Sequence, residues 1–264
     1  MPRTVTATRY VTPLREGGSL PAIMEADDDG LYVVKFHGAG QGPKALVAEL
    51  IAAGIGRALE LPVPETVLVE LDLALGMAEP DSEIQELLER SAGLNVGLDF
   101  LPGSLPLGAP ASSGVSPELA ADVVWFDAYL TNVDRTPRNP NLLLWHRNLW
   151  LIDHGAALYT QHGWSDDLAA IAAAAGARFA VIRAHVLLPV AGSIADADAR
   201  LAPRLSPDLI RGVVAAIPDA LLQDVPPFTT PERHREAYAT HLIGRLAAPR
   251  AWVDEAEEAR RAGA

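Results

Sequence analysis

The chain changes its hydrophobic period about two-fifths of the way along. Short alternating segments dominate up to Leu101, and helix-periodic segments dominate after Pro117. Between them Pro102–Pro117 is crowded with Gly, Pro and Ser, the residues that end regular structure. A change of period across such a stretch restricts the chain to a strand-rich part joined to a helical part. Thr4–Val11, Ala22–Glu25, Leu31–Phe36, Val67–Leu73 and Asn95–Leu101 read as strands, with Asp27-Asp28-Asp29-Gly30 as a hairpin connection. Pro43 suits the first position of one prominent helix, whose Val47, Leu50, Ile51, Ile55 and Ala58 recur at helical spacing to about Glu60. Glu83–Ser91 reads as a shorter helix. After the linker, Ser116-Pro117-Glu118 starts a helix with Leu119, Val123, Phe126 and Leu130 on its buried stripe. Further starts stand at Ser165-Asp166-Asp167, Ser206-Pro207-Asp208 and Thr230-Pro231-Glu232, and Asp254–Arg261 reads as a solvated helix. The expected class is α+β in two lobes: residues 1–101, a linker at 102–117, and a helical part at 118–264. A hinge near Asn95–Pro117 would leave a cleft between them, a common place for a ligand.

Composition narrows the function. With 264 residues and 49% hydrophobic content the chain can bury a substantial core. No apolar run approaches the roughly 18 residues of a spanning helix, and no apolar signal core follows Met1-Pro2-Arg3-Thr4; no membrane partner and a cytoplasmic location are expected. The absence of cysteine excludes disulfides, thiolate metal sites and cysteine nucleophiles. A net charge of -13 repels phosphate backbones and argues against nucleic acid, yet permits a small anionic ligand in a locally basic pocket. Of the 21 basic residues only Lys35 and Lys44 are lysines. A lysine kept in so arginine-rich a chain points to a need for that side chain.

The densest polar cluster is Asn132-Val133-Asp134-Arg135-Thr136-Pro137-Arg138-Asn139-Pro140-Asn141. Two apolar runs follow, Leu142–Trp145 and Leu149–Ile152, joined by His146-Arg147-Asn148 and ending in Asp153-His154-Gly155. Two such runs make a β-hairpin. With Arg147 at its centre, Asn141 is expected opposite Asp153, an amide oxygen beside a carboxylate, which suits Mg2+. Asp134 lies just upstream. Taken singly, each is an ordinary polar loop residue; their order around one hairpin is the signal.

This order resembles the protein-kinase superfamily, where a catalytic-loop Asp is followed by an Asn, a short hairpin and an Asp-Phe-Gly segment. Asp134 matches the catalytic Asp, and Asp153-His154-Gly155 stands where Asp-Phe-Gly would be. Asn139 keeps the usual five-residue step from Asp134, whereas Asn141 directly precedes the strand; the metal assignment stays open between them, with Asn141 favoured by the hairpin arithmetic. Tyr32-Val33-Val34-Lys35-Phe36 resembles the strand carrying the ATP-binding lysine. Fourteen residues on, Glu49 lies among the small helical neighbours Ala45, Ala52, Ala53 and Gly56, where another element can approach and a Lys–Glu pair can form. Gly17, Gly18 and Ser19 stand where a phosphate-covering turn would lie, and Asn95–Leu101 where the adenine hinge would lie. Within the superfamily the chain is similar to the HipA-like kinases, through Asn132-Val133-Asp134-Arg135, the His-Gly after Asp153, and Ala48-Glu49-Leu50 leading to Leu61-Pro62-Val63-Pro64.

The resemblance implies a protein-kinase-like two-lobed fold, with a small strand-rich N-lobe and a mostly helical C-lobe. It implies an ATP-dependent phosphotransferase using Mg2+ and a hydroxyl acceptor, either protein Ser/Thr or a small molecule. Asp134 would be catalytic; Lys35, Glu49, Gly17, Gly18 and Ser19 would bind nucleotide; Asn139 or Asn141, with Asp153, would hold metal. The chain is shorter than the toxin kinases of that family, and its sequence does not support an antitoxin-like partner. A nucleotide-binding scaffold without turnover is the alternative. A pyridoxal enzyme built on Lys35 finds no phosphate-binding loop near that lysine. His154 and His185 are expected to pack or hydrogen-bond locally.

Overall fold

The computed structural model describes residues 2–14, 20–40, 42–77, 80–107 and 114–263. The N-terminal part holds β1 (Thr4–Pro13), β2 (Ala22–Ala26), β3 (Leu31–Lys35), α1 (Pro43–Ala58), β4 (Thr66–Leu71), α2 (Leu73–Met77), α3 (Ser82–Arg90) and β5 (Gly93–Asp99). Its strands run in the order β1-β2-β3-β5-β4 and close into a barrel, because β1 pairs parallel with β4 through Val5 opposite Val69. Closure leaves this sheet no open edge. Alternate residues fill the interior: Val5 and Ala7, Ala22 and Met24, Tyr32 and Val34, Val67 and Val69. Gly97 is required where β5 crosses this core, since a Cβ there would lie 2.7 Å from Val69 Cγ2.

The helix α1 belongs to a second core. Leu46, Val47, Leu50, Ile51 and Ile55 pack with α4 (Pro117–Tyr129) and the helices beyond it. The chain has already added β6 (Leu105–Pro106) before α4, and follows it with β7 (Leu142–Trp145) and β8 (Asn148–Leu151). Then come α5 (Leu168–Ala175), α6 (Ile194–Leu201), α7 (Pro207–Ala215), α8 (Pro231–Leu246) and α9 (Ala251–Arg261). Ser116, Ser206 and Thr230 cap α4, α7 and α8 by accepting the backbone N–H three residues on. Asp167, the last residue of the Ser165-Asp166-Asp167 start, caps α5. Trp125, Tyr129 and Trp252 stack at the centre of this lobe, with Trp125 5.3 Å from each of the other two rings. Buried Arg245 donates to the carbonyls of Ala128, Tyr129 and Ala175, satisfying the C-terminal ends of α4 and α5.

Three expectations need correction. The Asp254–Arg261 segment is helical but not simply solvated: α9 buries Trp252, Val253, Ala256 and Ala259. Its acidic residues are partnered instead, Glu255 by Arg178 and Arg183, and Glu257 by Arg260 and the Ile194 N–H. The stretch after Leu101 is not wholly a connector, because Leu105 pairs with Leu144 and β6 extends the hairpin to three strands. The hairpin itself turns in two residues rather than three. Trp145 pairs with Asn148, and His146 and Arg147 both take positive φ, +49° and +69°. Such a turn matches the right-handed twist of the flanking strands. Leu142 therefore faces Leu151, and Asn141 faces Ile152, not Asp153.

Candidate active site

Lys35 ends β3 and points out of the barrel toward α1. Its Nζ donates to Glu49 Oε1, which sits in mid-helix and is 1% exposed. The same Nζ reaches Asp153 Oδ1 at 2.5 Å, so one lysine ties β3, α1 and the segment after β8 together. Burial alone would raise the Glu49 carboxyl, but the Lys35 charge and the His154 hydrogen bond outweigh it and hold the group well below the usual carboxylate range. Burial likewise works against the Lys35 ammonium, and Glu49 and Asp153 together raise it above its ordinary value.

Small residues bring the Asp153 segment in. A Cβ on Gly155 would sit in ordinary contact, 3.5 Å from Ala45 Cβ and 3.6 Å from Glu49 Oε1, so this position lies directly against α1. His154 is buried beside this pair, with Nδ1 3.7 Å from Glu49 Oε2 and its ring edge-on to Phe126. Asp153 takes a φ of +55°, which turns the chain out of β8. That turn recovers what the one-residue register shift removes: Asn141 Nδ2 lies 3.5 Å from the Asp153 carbonyl although Asn141 pairs with Ile152.

Asp134 joins from the loop before β7. Its Oδ2 accepts from Asn139 Nδ2 at 2.6 Å and from Asn141 Nδ2 at 3.3 Å. Burial raises its pKa; the Asn141 hydrogen bond opposes the rise, and the Asp153 charge adds to it. Lys35, Glu49, Asp134, Asn139, Asn141 and Asp153 are thus linked through one chain of contacts. Gly17, Gly18 and Ser19 lie outside the described residues. Asn95–Leu101 is mostly β5, and buried Asn95 accepts the His37 N–H at 3.0 Å, fastening the loop after β3.

Sequence reasoning missed the support beneath this site. Asp127 on α4 is fully buried and accepts from Asn132 Nδ2 at 2.8 Å, Arg135 Nε at 2.5 Å and His185 Nε2 at 2.9 Å. Leu187 N–H donates to His185 Nδ1, so the ring is neutral with its proton on Nε2. Asn132 Oδ1 receives the Asp134 N–H, and Arg135 Nη1 donates to the carbonyls of Asn141 and Ile152. The loop bearing Asp134 and the base of the hairpin are therefore held to α4 by one buried network. Its only sequence signal is an Asp on the otherwise apolar stretch Val123–Leu130.

Among the described residues no group of three or more His, Asp or Glu side chains is arranged for a metal ion. The available donors are the Asp153 carboxylate and the Asn139 or Asn141 amide oxygen. All are hard oxygens, and the Asp153 side chain is 47% exposed, so the set is open to a hard divalent cation.

The arrangement, a strand barrel carrying Lys35 over a helical lobe carrying the Asp134 loop, defines a two-lobed kinase fold. The chain matches the family model described as HipA-like kinase over residues 8–172, more than half its length, and it belongs to that family. The crystal structure of the proinflammatory kinase CtkA of Helicobacter pylori is similar in fold, at 15% identity and a TM-score of 0.55, with 98% of each chain covered. The Golgi casein kinase, solved with Mn/ADP bound, aligns at 12% identity and a TM-score of 0.45, over 94% of this chain and 74% of that one. No curated protein matches the chain in sequence. Among the described residues no helix is long and apolar enough to cross a membrane.

Proposed function

We propose that the chain is a Mg2+-dependent ATP phosphotransferase acting on a hydroxyl acceptor. The observation that carries this reading is the double engagement of Lys35 Nζ by Glu49 and Asp153, with Asp134 linked to the same segment through Asn141. When bound, ATP with Mg2+ supplies the transferable phosphoryl group and the charge that neutralises its neighbours.

The protein's own groups do the rest. Glu49, anionic and buried, holds Lys35 charged and aimed at the cleft, where the ammonium takes the α- and β-phosphates. Asp153, with Asn141 or Asn139, holds the cation. The two Asn amides occupy Asp134 Oδ2, which leaves Oδ1 to orient the acceptor hydroxyl and take its proton. A carboxylate whose pKa is raised by burial is a better base for that proton. Most of the effect is positioning and electrostatics.

The test is mass spectrometry of the protein and a matched lysate after incubation with ATP and Mg2+. A phosphorylated target or autophosphorylation is expected. Nucleotide binding without transfer or hydrolysis would identify the chain as a nucleotide-binding scaffold instead.

A further inference from the structure

The acceptor's charge is legible in where the protein leaves its cations unpaired. The chain carries 34 acidic residues against 21 basic ones, so carboxylates are plentiful. Most arginines have found one. Among the described residues, Lys44, Arg57, Arg138 and Arg147 are the cationic side chains with neither a hydrogen bond nor an ion pair. Arg57 lies in a groove between α1 and α7. Arg147 sits in the hairpin turn, at the far end of β7 and β8 from Asn141 and Asp153. Arg138 stands on the loop that carries Asp134, whereas Lys44 lies in α1 with its charge acting on His162 and His234.

Arg138 is placed by local structure. Thr136-Pro137-Arg138-Asn139 is a tight turn closed by reciprocal backbone hydrogen bonds of 3.1 Å between Thr136 and Asn139. Pro137 sets the second turn position, so Arg138 occupies the third and is exposed. The next residue, Asn139, grips Asp134 Oδ2 at 2.6 Å. A fixed backbone thus carries an unpaired guanidinium on the same turn as the Asn139 that grips the carboxylate proposed to receive the acceptor hydroxyl. Lys44 stands in the first turn of α1, next to Ala45, which meets the Gly155 position. Its carbonyl accepts from Gln161 Nε2 at 3.4 Å, and its ammonium acts on His162 and His234.

We propose that the acceptor is anionic: it carries a carboxylate or phosphate near the reacting hydroxyl, bound by Arg138. This rests on the phosphotransferase reading. A negatively charged acceptor is otherwise repelled by a surface of net charge -13, so a local cation on the Asp134 loop decides which hydroxyls dwell there. A guanidinium offers paired donors to a carboxylate or phosphate, whereas a neutral hydroxyl compound leaves it unused.

The test is direct binding without nucleotide. Full-length protein is titrated with a short Ser peptide flanked by Glu, with its Gln-flanked and Lys-flanked counterparts, and with glycerate as the small-molecule arm. Either the Glu peptide or glycerate should bind at least about tenfold more tightly than its uncharged counterpart (the Gln peptide or glycerol), and which of them does so tells a protein segment from a small molecule. Arg138→Glu should erase that preference or turn it toward the Lys peptide, and Arg138→Lys should keep part of it; both variants are to be checked for wild-type melting. Equal affinities for charged and uncharged probes, or no binding of any anionic probe, overturn the proposal. So does an Arg138→Gln variant that loses ATP affinity while its probe affinities stay unchanged, since Arg138 would then serve the nucleotide. Wild-type ATP binding, followed by calorimetry on the same samples, reports separately on the phosphotransferase reading.

Discussion

Asp127 and Arg135 close an ion pair of 2.5 Å with both side chains at 0% exposure, directly beneath the loop that carries Asp134. Arg135 Nη1 donates to the Asn141 and Ile152 carbonyls, so the pair sets the height of the hairpin base against the loop. Asp127→Ala should strand a buried guanidinium and destabilise the protein by about 3–5 kcal/mol. Arg135→Lys keeps the charge but not the fork, and cannot reach Asp127 and both carbonyls together. It should lower transfer with a smaller loss of stability. Urea unfolding beside transfer rates checks both; an Asp127→Ala variant as stable as wild type would remove the network from this account.

Asp153 and Asp134 should separate binding from transfer. Asp153→Ala is expected to abolish Mg2+-dependent nucleotide binding, because the remaining donor is a neutral amide. Asp134→Ala is expected to leave nucleotide binding largely intact and to lower transfer by several orders of magnitude. Calorimetry with ATP and Mg2+, paired with a transfer assay, reads both. Wild-type transfer by Asp134→Ala would mean that another group handles the acceptor proton.

Glu49→Gln removes the buried counter-ion of Lys35 and leaves that ammonium with Asp153 alone. Lys35 is then held against the carboxylate proposed to hold the cation. Nucleotide affinity should fall at least about tenfold, roughly 1.4 kcal/mol. The Glu49 carboxyl lies below its ordinary value in the folded state. Its contribution to stability is therefore complete above its unfolded pKa of about 4.3 and is lost as pH falls toward the folded value, so the variant should show a shallower acid limb. Unchanged ATP affinity in Glu49→Gln would contradict the orienting role.

His234 and His241 predict a second pH response. His234 stacks between Phe228 and Tyr238, and His241 lies against Trp164. Burial pushes His234 down to about 4 and His241 to about 3, with Lys44 and Arg235 near the first and Arg245 near the second acting in the same direction. Above pH 6.5 neither state binds the extra proton. Below it the unfolded chain binds protons that the folded chain refuses, so stability falls with pH down to about 4, by about 1.4 kcal/mol per pH unit for each histidine. His234→Phe keeps the ring stack and removes one proton. Its denaturation midpoint should change less between pH 6.5 and 5 than that of wild type; equal slopes would show that His234 does not titrate this way.

Residue type and spacing, read beside the kinase resemblance, pointed to Lys35, Glu49, Asp134, the two Asn and Asp153, because the family's pattern sets particular groups in a particular order along the chain. Local signals did as well for the caps at Ser116, Ser206 and Thr230, where one side chain meets its own helix. What failed was whatever depends on distant partners. The hairpin register slipped by one because a three-residue turn and a two-residue turn differ only in whether His146 and Arg147 both adopt positive φ. Closure of the barrel rests on β1 meeting β4 some sixty residues away, a pairing that neither segment encodes by itself. Asp127 read as one polar residue on an apolar helix, and α9 as solvated, because a charged side chain's burial is decided by the arginine that comes to it. Asp127 finds Arg135 and Glu255 finds Arg178, and only the tertiary structure supplies those partners.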